Sequence, residues 1–307
     1  MALLHLRVVA PKETAERVAD VLARIDGAVA VQVLGETSHG WGVTADLARE
    51  CVDGVLAELH RLGVADHGMI TLEPLDTAIG ALARQAEEDA PGEAADALIW
   101  DELVARTGED STLTGTFVAF MVLATLLAAI GVVTDSQITI VGAMVVGPEF
   151  GPLAGLAVGL VRRRIDLARR AAIALLVGFA GAVVITALLS LLARWAGLIH
   201  PSDIVGSNRE TDFIYHPGWF SLITALVAGT AGMLSLTSSK SAALVGVFIS
   251  VTTIPAAGNA AVGGVLGRWN ETWQSLAQLG INLVGITAAG VVTLLVRRAV
   301  ASPARAA

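Results

Sequence analysis

One carboxylate, Glu149, lies in the middle of an almost wholly apolar run from Ile138 to Val161. That run is long enough to cross a bilayer. Pro148 and Pro152 flank the carboxylate, and Gly147, Gly151, Gly155 and Gly159 recur every four residues around it. A proline has no N–H, so the carbonyls of Met144 and Pro148 lose the partner four residues on. Bare carbonyls beside a carboxylate suit a proton, Na⁺ or another cationic group, and an ionisable side chain at mid-span is a functional hypothesis by default. The competing reading gives the glycines and prolines only tight, kinked packing, with Glu149 hydrogen-bonded to Asn282 or Asn259 of a neighbouring span. The functional reading is favoured. The four glycines share one helical face and predict a close helix contact, within the protomer or across a homo-oligomer axis.

The elements that must hold such a site are membrane spans. Of 307 residues, 54% are hydrophobic and 16% charged, with a mean hydropathy of +0.69. That is too apolar for a soluble domain and indicates a polytopic membrane protein. Residues 1–111 hold 8 Lys/Arg and 21 Asp/Glu, net −13, while residues 112–307 hold 12 and 7, net +5. An acidic head on a basic membrane part argues against nucleic acid as a partner. The single cysteine, Cys51, excludes an intramolecular disulfide. The N-terminus does not read as a signal peptide, because His5 and Arg7 interrupt its apolar run.

The head, residues 1–75, reads β-α-β-β-α-β, the ferredoxin-like order. Strands are expected at 3–10, 28–34, 43–48 and 69–75, with turn formers over Gly35–Gly42 and helices from Glu13 to Asp26 and over 49–62. Residues 76–112 form an amphipathic helical linker: a first helix from Leu75 to Ala90 stops at Pro91-Gly92, and a second piece, carrying Trp100, lies against the membrane surface or the head. Six spans are expected at 113–133, 137–161, 170–193, 217–236, 241–264 and 275–296, followed by a tail, 297–307. With both termini cytosolic, the inner loops carry nine positive charges against three outside (Arg194, Arg209 and Arg268). The positive-inside rule therefore puts head and tail on the cytosolic face of the inner (plasma) membrane, and favours a true crossing over a re-entrant hairpin for the broken second span.

The second half echoes the first. An offset of 103 residues lays Thr134 on Thr237, Ser136 on Ser239, Pro152 on Pro255, Gly155 on Gly258 and Ala157 on Ala260. Three spans separate the copies, so the second is inverted. Inverted three-plus-three repeats with broken helices meeting near the midplane are typical of secondary transporters. Glu149 then corresponds to Thr252, beside Thr253, Pro255 and Asn259.

The stretch GAMVVGPEFGPLAGLAVGLVRRR, preceded by TDSQ and by DALIWDEL upstream of the first span, resembles the bacterial and archaeal hydrophobic proteins called domain of unknown function 389. The resemblance covers roughly residues 95–296. It implies a multispanning membrane protein and no particular activity.

The expected function is a secondary transporter, an ion- or proton-coupled carrier of a small solute with a regulatory head. Its site comprises Glu149, Gly147, Pro148, Gly151, Pro152, Thr252, Thr253, Pro255, Asn259 and Asn282. A channel or a membrane-anchored sensor without transport are the alternatives. Asp135 and Ser136 at one mouth, and Ser238, Ser239 and Lys240 at the other, read as caps or loop residues. No phosphate-binding loop or catalytic triad is present. No metal spacing is found among His5, His39, His60 and His67, and His200, Asp203, Asp212 and His216 fit a metal poorly. The expectation is therefore no enzyme, no cofactor and no metal. The expected partners are the lipid bilayer, other copies of the chain and an unidentified small solute or ion.

Overall fold

The structure, a computed structural model, describes residues 3–75, 77–90, 97–200, 218–238 and 252–301. It divides into two compact units at Glu102–Leu103.

In the first unit, strands β1 (Leu3–Ala10), β2 (Ala28–Thr37), β3 (Gly40–Ala48) and β4 (Met69–Pro74) form an antiparallel sheet in the order β2-β3-β1-β4. Helix α1 (Lys12–Leu22) buries Ala15, Val18 and Leu22, and α2 (Arg49–Arg61) buries Val52, Val55, Leu56 and Leu59. Both sets follow the helical period that puts one apolar stripe on a sheet. They close over Leu4, Leu6, Val8, Val43, Ala45 and Leu47, and Ile99 adds to the same core. The element order and pairing are those of the split arrangement expected from the sequence, with a short extra helix, α3 (Val64–His67), before β4.

Two expectations shift. The stretch from Gly35 to Gly42, rich in turn formers, is mostly strand, and the turn narrows to Ser38–His39. Thr37 Oγ1 donates to the Gly40 carbonyl, and Gly40 adopts a φ of +134°. Any Cβ there would lie 2.6 Å from the Ala10 carbonyl oxygen, so a glycine is needed. The first linker helix, expected from Leu75 to Ala90, is only α4 (Ala81–Asp89). Gly80, at a φ of +151°, stands outside the helix.

The second unit is helical. Helices α6 (Gly115–Val133), α9 (Ile165–Trp195), α10 (Trp219–Leu236) and α12 (Trp269–Ala301) are long and apolar enough to cross a membrane. A bent pair, α7 (Gln137–Val146) and α8 (Phe150–Val161), makes a fifth candidate with a 49° bend at its break. Six spans therefore exceed what the described residues contain. The expected fifth span, 241–264, lies outside them up to Val251, and what is described of it is α11 (Thr253–Val265). Lys240 and Ser239 also lie outside, as do Asp203, Arg209, Asp212 and His216.

The packing gives the short helices the centre. Residues Thr253–Gly263 of α11 are buried without interruption, and α11 packs on α6, α9 and α12. Nine residues of α8 are buried, and that helix packs on α9 and α12. Helices apolar on every side belong in a deep core or a membrane. The long helices meet this by turning side chains such as Leu176, Leu192, Val284 and Val292 outward.

The glycine face does not form one groove. A Cβ on Gly151 would lie 2.5 Å from Asp110 Cβ, and one on Gly155 would strike Ser111 Oγ and lie 3.1 Å from the Thr107 carbonyl, both on or just past α5 (Trp100–Asp110). One on Gly159 would lie 2.7 Å from the Ala168 backbone nitrogen of α9, whereas Gly147 faces Glu149 and Ile254. The 49° bend separates the first glycine from the other three, so the ladder serves three neighbours.

Candidate functional site

Glu149 sits where α7 ends and α8 begins. Pro148 cannot donate to the Met144 carbonyl and Pro152 cannot donate to that of Pro148, so the helix breaks there. After the break, Leu153 N–H donates to the Glu149 carbonyl at 3.2 Å and α8 resumes. The start of α11 has the same build: Ala256 N–H donates to the Thr252 carbonyl at 3.1 Å. Pro152 and Pro255 each occupy the third helical position, where the missing N–H would have had no helical partner in any case.

The two starts touch. Thr253 Oγ1 donates to Glu149 Oε1 at 2.6 Å, and Glu149 is 8% exposed and Thr253 fully buried. The carboxylate thus lies at the N-terminus of α8 and bonds to the N-terminal residue of α11. Helix N-termini carry partial positive charge and are where a buried anion is best tolerated.

Thr252 links this pair to α12. Its Oγ1 accepts from Asn282 Nδ2 at 3.1 Å and from Gln278 Nε2 at 3.3 Å. Gln278 Nε2 also lies 3.4 Å from Asn282 Oδ1. Farther along, Asn259 Nδ2 donates to Ser275 Oγ at 2.8 Å. Two buried oxygens of this network, Glu149 Oε2 and Gln278 Oε1, are among those with no hydrogen-bond partner in the described residues.

The partner expected for Glu149 is corrected here. Neither Asn282 nor Asn259 bonds to it; Thr253 does. Asn259 lies six residues beyond Thr253, about 9 Å up the helix, and is taken by Ser275. Asn282 is brought into the same network one step removed, through Thr252. Gln278 and Ser275 were not singled out from the sequence. Yet Glu271, Ser275, Gln278 and Asn282 recur at i, i+4, i+7 and i+11, and all four are buried. A polar stripe with that period in an apolar helix is the signal that would have found them.

A cavity of about 420 Å³ opens beside the break. Its polar lining comes from Glu109, Asp110, Thr112, Thr114 and Thr116, at the end of α5 and the start of α6, and its far wall includes Gly147, Pro148 and Gly151. Desolvation lifts the Asp110 carboxyl above the usual carboxylate range; Arg106, one turn earlier, pulls the other way, and Glu109 adds to the lift.

Three other polar residues singled out from the sequence have local partners. Ser136 caps α7, accepting from Thr139 N–H at 3.3 Å. His5 bonds to Asp46 at 2.7 Å within the sheet, and His60 lies 3.8 Å from Asp101. Among the described residues no three His, Cys, Asp or Glu side chains are grouped to hold a metal ion. Cys51 donates to the Ala48 carbonyl, and burial pushes its thiol up to about 11.

Residues 144–288 match the model of a family described as a domain of unknown function (DUF389). That match contains both helix starts and Asn282, and is narrower than the resemblance read from the sequence. An uncharacterized protein of Methanocaldococcus jannaschii is 25% identical over 234 residues, which cover 75% of this chain and 68% of that protein. No solved structure matches.

Proposed function

From a domain of unknown function 389 built in this way, we propose an ion-coupled carrier of a small solute, with Glu149 as the coupling residue. The observation that carries this is the buried Glu149–Thr253 bond between the starts of two short, proline-marked helices at the centre of the unit. A carrier needs a site that opens to each side in turn, and sites of that kind lie where broken helices meet.

The proposal includes an inverted repeat. At the offset of 103, α6 overlies α10, α8 overlies α11 and α9 overlies α12, each start agreeing within one residue. The turns after α8 and α11 add support. Arg164 N–H donates to the Gly159 carbonyl and Arg268 N–H to that of Gly263, each at 2.8 Å. Arg163 and Gly267, the residues just before those arginines and like them 104 apart, one residue out of the 103 register, both have positive φ, 56° and 78°. On this reading the chain crosses six times with both termini cytosolic, and the α7–α8 pair is one crossing.

Reciprocal labelling tests the proposal. Thr252→Cys in a Cys51→Ser background is exposed to an impermeant thiol reagent from either face of sealed vesicles. A carrier predicts reaction from both faces, with conditions that raise one rate lowering the other. Simultaneous free access from both faces would mark a channel. Protection from both faces under every condition would mark a scaffold and end the carrier reading.

A further inference from the structure

The chemistry of the ion can be narrowed beyond the proposal above, on which this inference rests. The buried side-chain atoms around the break that lack a partner among the described residues are both oxygens. Glu149 Oε2 and Gln278 Oε1 are buried without donors among the described residues. The Pro148 carbonyl has no helical donor, because the residue four on is Pro152. Buried acceptors without donors are costly unless something positive meets them. The ligand atoms on offer are oxygens alone, with no imidazole or thiolate, and oxygen-only sites select hard cations. The one carboxylate in this network, Glu149, balances a single positive charge.

The cavity supplies an approach to the same atoms. Its lining carries two carboxylates, Glu109 and Asp110, with three threonine hydroxyls and no Lys or Arg. An acidic mouth concentrates cations, and hydroxyls replace part of a hydration shell. Gly147 lies on both sides of the step: it lines the cavity, and a Cβ on it would strike Glu149 Oε2.

We propose that this cavity is the mouth of a cation path, and that the ion it admits is a single alkali metal cation that loses water against Glu109, Asp110 and the threonines and passes Gly147 to rest on Glu149 Oε2.

Equilibrium and kinetic binding of ²²Na⁺ to the purified full-length protein tests this, with K⁺ and Li⁺ as competitors. Wild-type protein is expected to bind one ion per chain. Glu149→Gln should lose at least tenfold in affinity. Glu109→Gln and Asp110→Asn should keep the stoichiometry but slow association about tenfold at low ionic strength, an effect that salt diminishes. Both side chains are exposed, but Asp110 also packs near Gly151, so Glu109→Gln tests the route without disturbing that contact. Unchanged association rates in Glu109→Gln would overturn the entry route. Failure of wild-type protein to bind Na⁺, K⁺ or Li⁺, with reciprocal labelling intact, would overturn the alkali ion and leave a proton-coupled carrier. Glu149-dependent Na⁺ binding without reciprocal labelling would instead retain the ion site and reject the carrier.

Discussion

The starts of α8 and α11 share a proline at the third position, a first-turn bond four residues long and a central place in the packing, but they differ in charge. The first places Glu149 in the core. The second offers only neutral groups there: Thr253 toward the carboxylate, and Thr252 toward Gln278 and Asn282. The ionisable group is thus confined to one break, and the other break serves as its donor and its link to α12. An asymmetry of this kind gives a single charge two sets of neighbours to choose between. Two carboxylates facing each other would have to share a proton instead.

The comparison breaks first at the glycines. A Cβ on Gly258 would lie 2.7–3.0 Å from the Cβ, carbonyl carbon and backbone nitrogen of Ala128–Ala129 in α6, whereas at Gly155 the nearest atom is the movable Ser111 hydroxyl. Overpacking against backbone is expected to cost Gly258→Leu about 3 kcal/mol, and Gly155→Leu about 1–2 kcal/mol. Thermal melts in detergent check the order, and equal melts would mean that the two helices are equally free to shift.

The next pair separates the charged bond from the neutral ones. Thr253→Val removes the donor to Glu149 Oε1 and should destabilise by about 1.5–3 kcal/mol, the range for a hydrogen bond to a charged group. Thr252→Val strands two amide donors, and its loss should be about 1–2 kcal/mol. Urea or thermal unfolding of both, with Glu149→Gln added to each, measures the coupling. Only Thr253→Val should show non-additivity with Glu149→Gln.

Much of this arrangement was legible in the sequence, for identifiable reasons. Period-2 and period-3.6 patterns are local, so the head's strands and helices followed from them. The Pro148–Pro152 break was legible because a missing N–H acts within four residues. The partner of Glu149 was not, because it depends on how far α11 is inserted beside α8, a matter of packing between residues 104 apart. Asn259 and Asn282 have the right chemistry, yet they stand too far up α11 or one bond away on α12. The glycine ladder was legible as close helix contact but not as one shared face, since periodicity assumes a straight helix and the bend separates Gly147 from Gly151.

A smaller effect concerns the outer end of the neutral side. Asn259 and Ser275 bond to each other at 2.8 Å, two turns from Thr252. Ser275→Ala should cost about 1 kcal/mol, as for a buried neutral hydrogen bond, and leave ²²Na⁺ affinity within twofold. A tenfold loss would extend the ion site along α12 and shift weight from the Glu149 break to its neutral counterpart.

The central claim is that the charge of Glu149 is what the two helix starts respond to. The most direct measurement is reciprocal labelling of Thr252→Cys, repeated with Glu149→Gln, which keeps the shape and an acceptor for Thr253 and removes the charge. The account predicts that the Gln protein folds and inserts, but that labelling from the two faces no longer changes when Na⁺ or pH is varied. A full reciprocal response in the Gln protein would contradict it and return Glu149 to a structural hydrogen-bonding role.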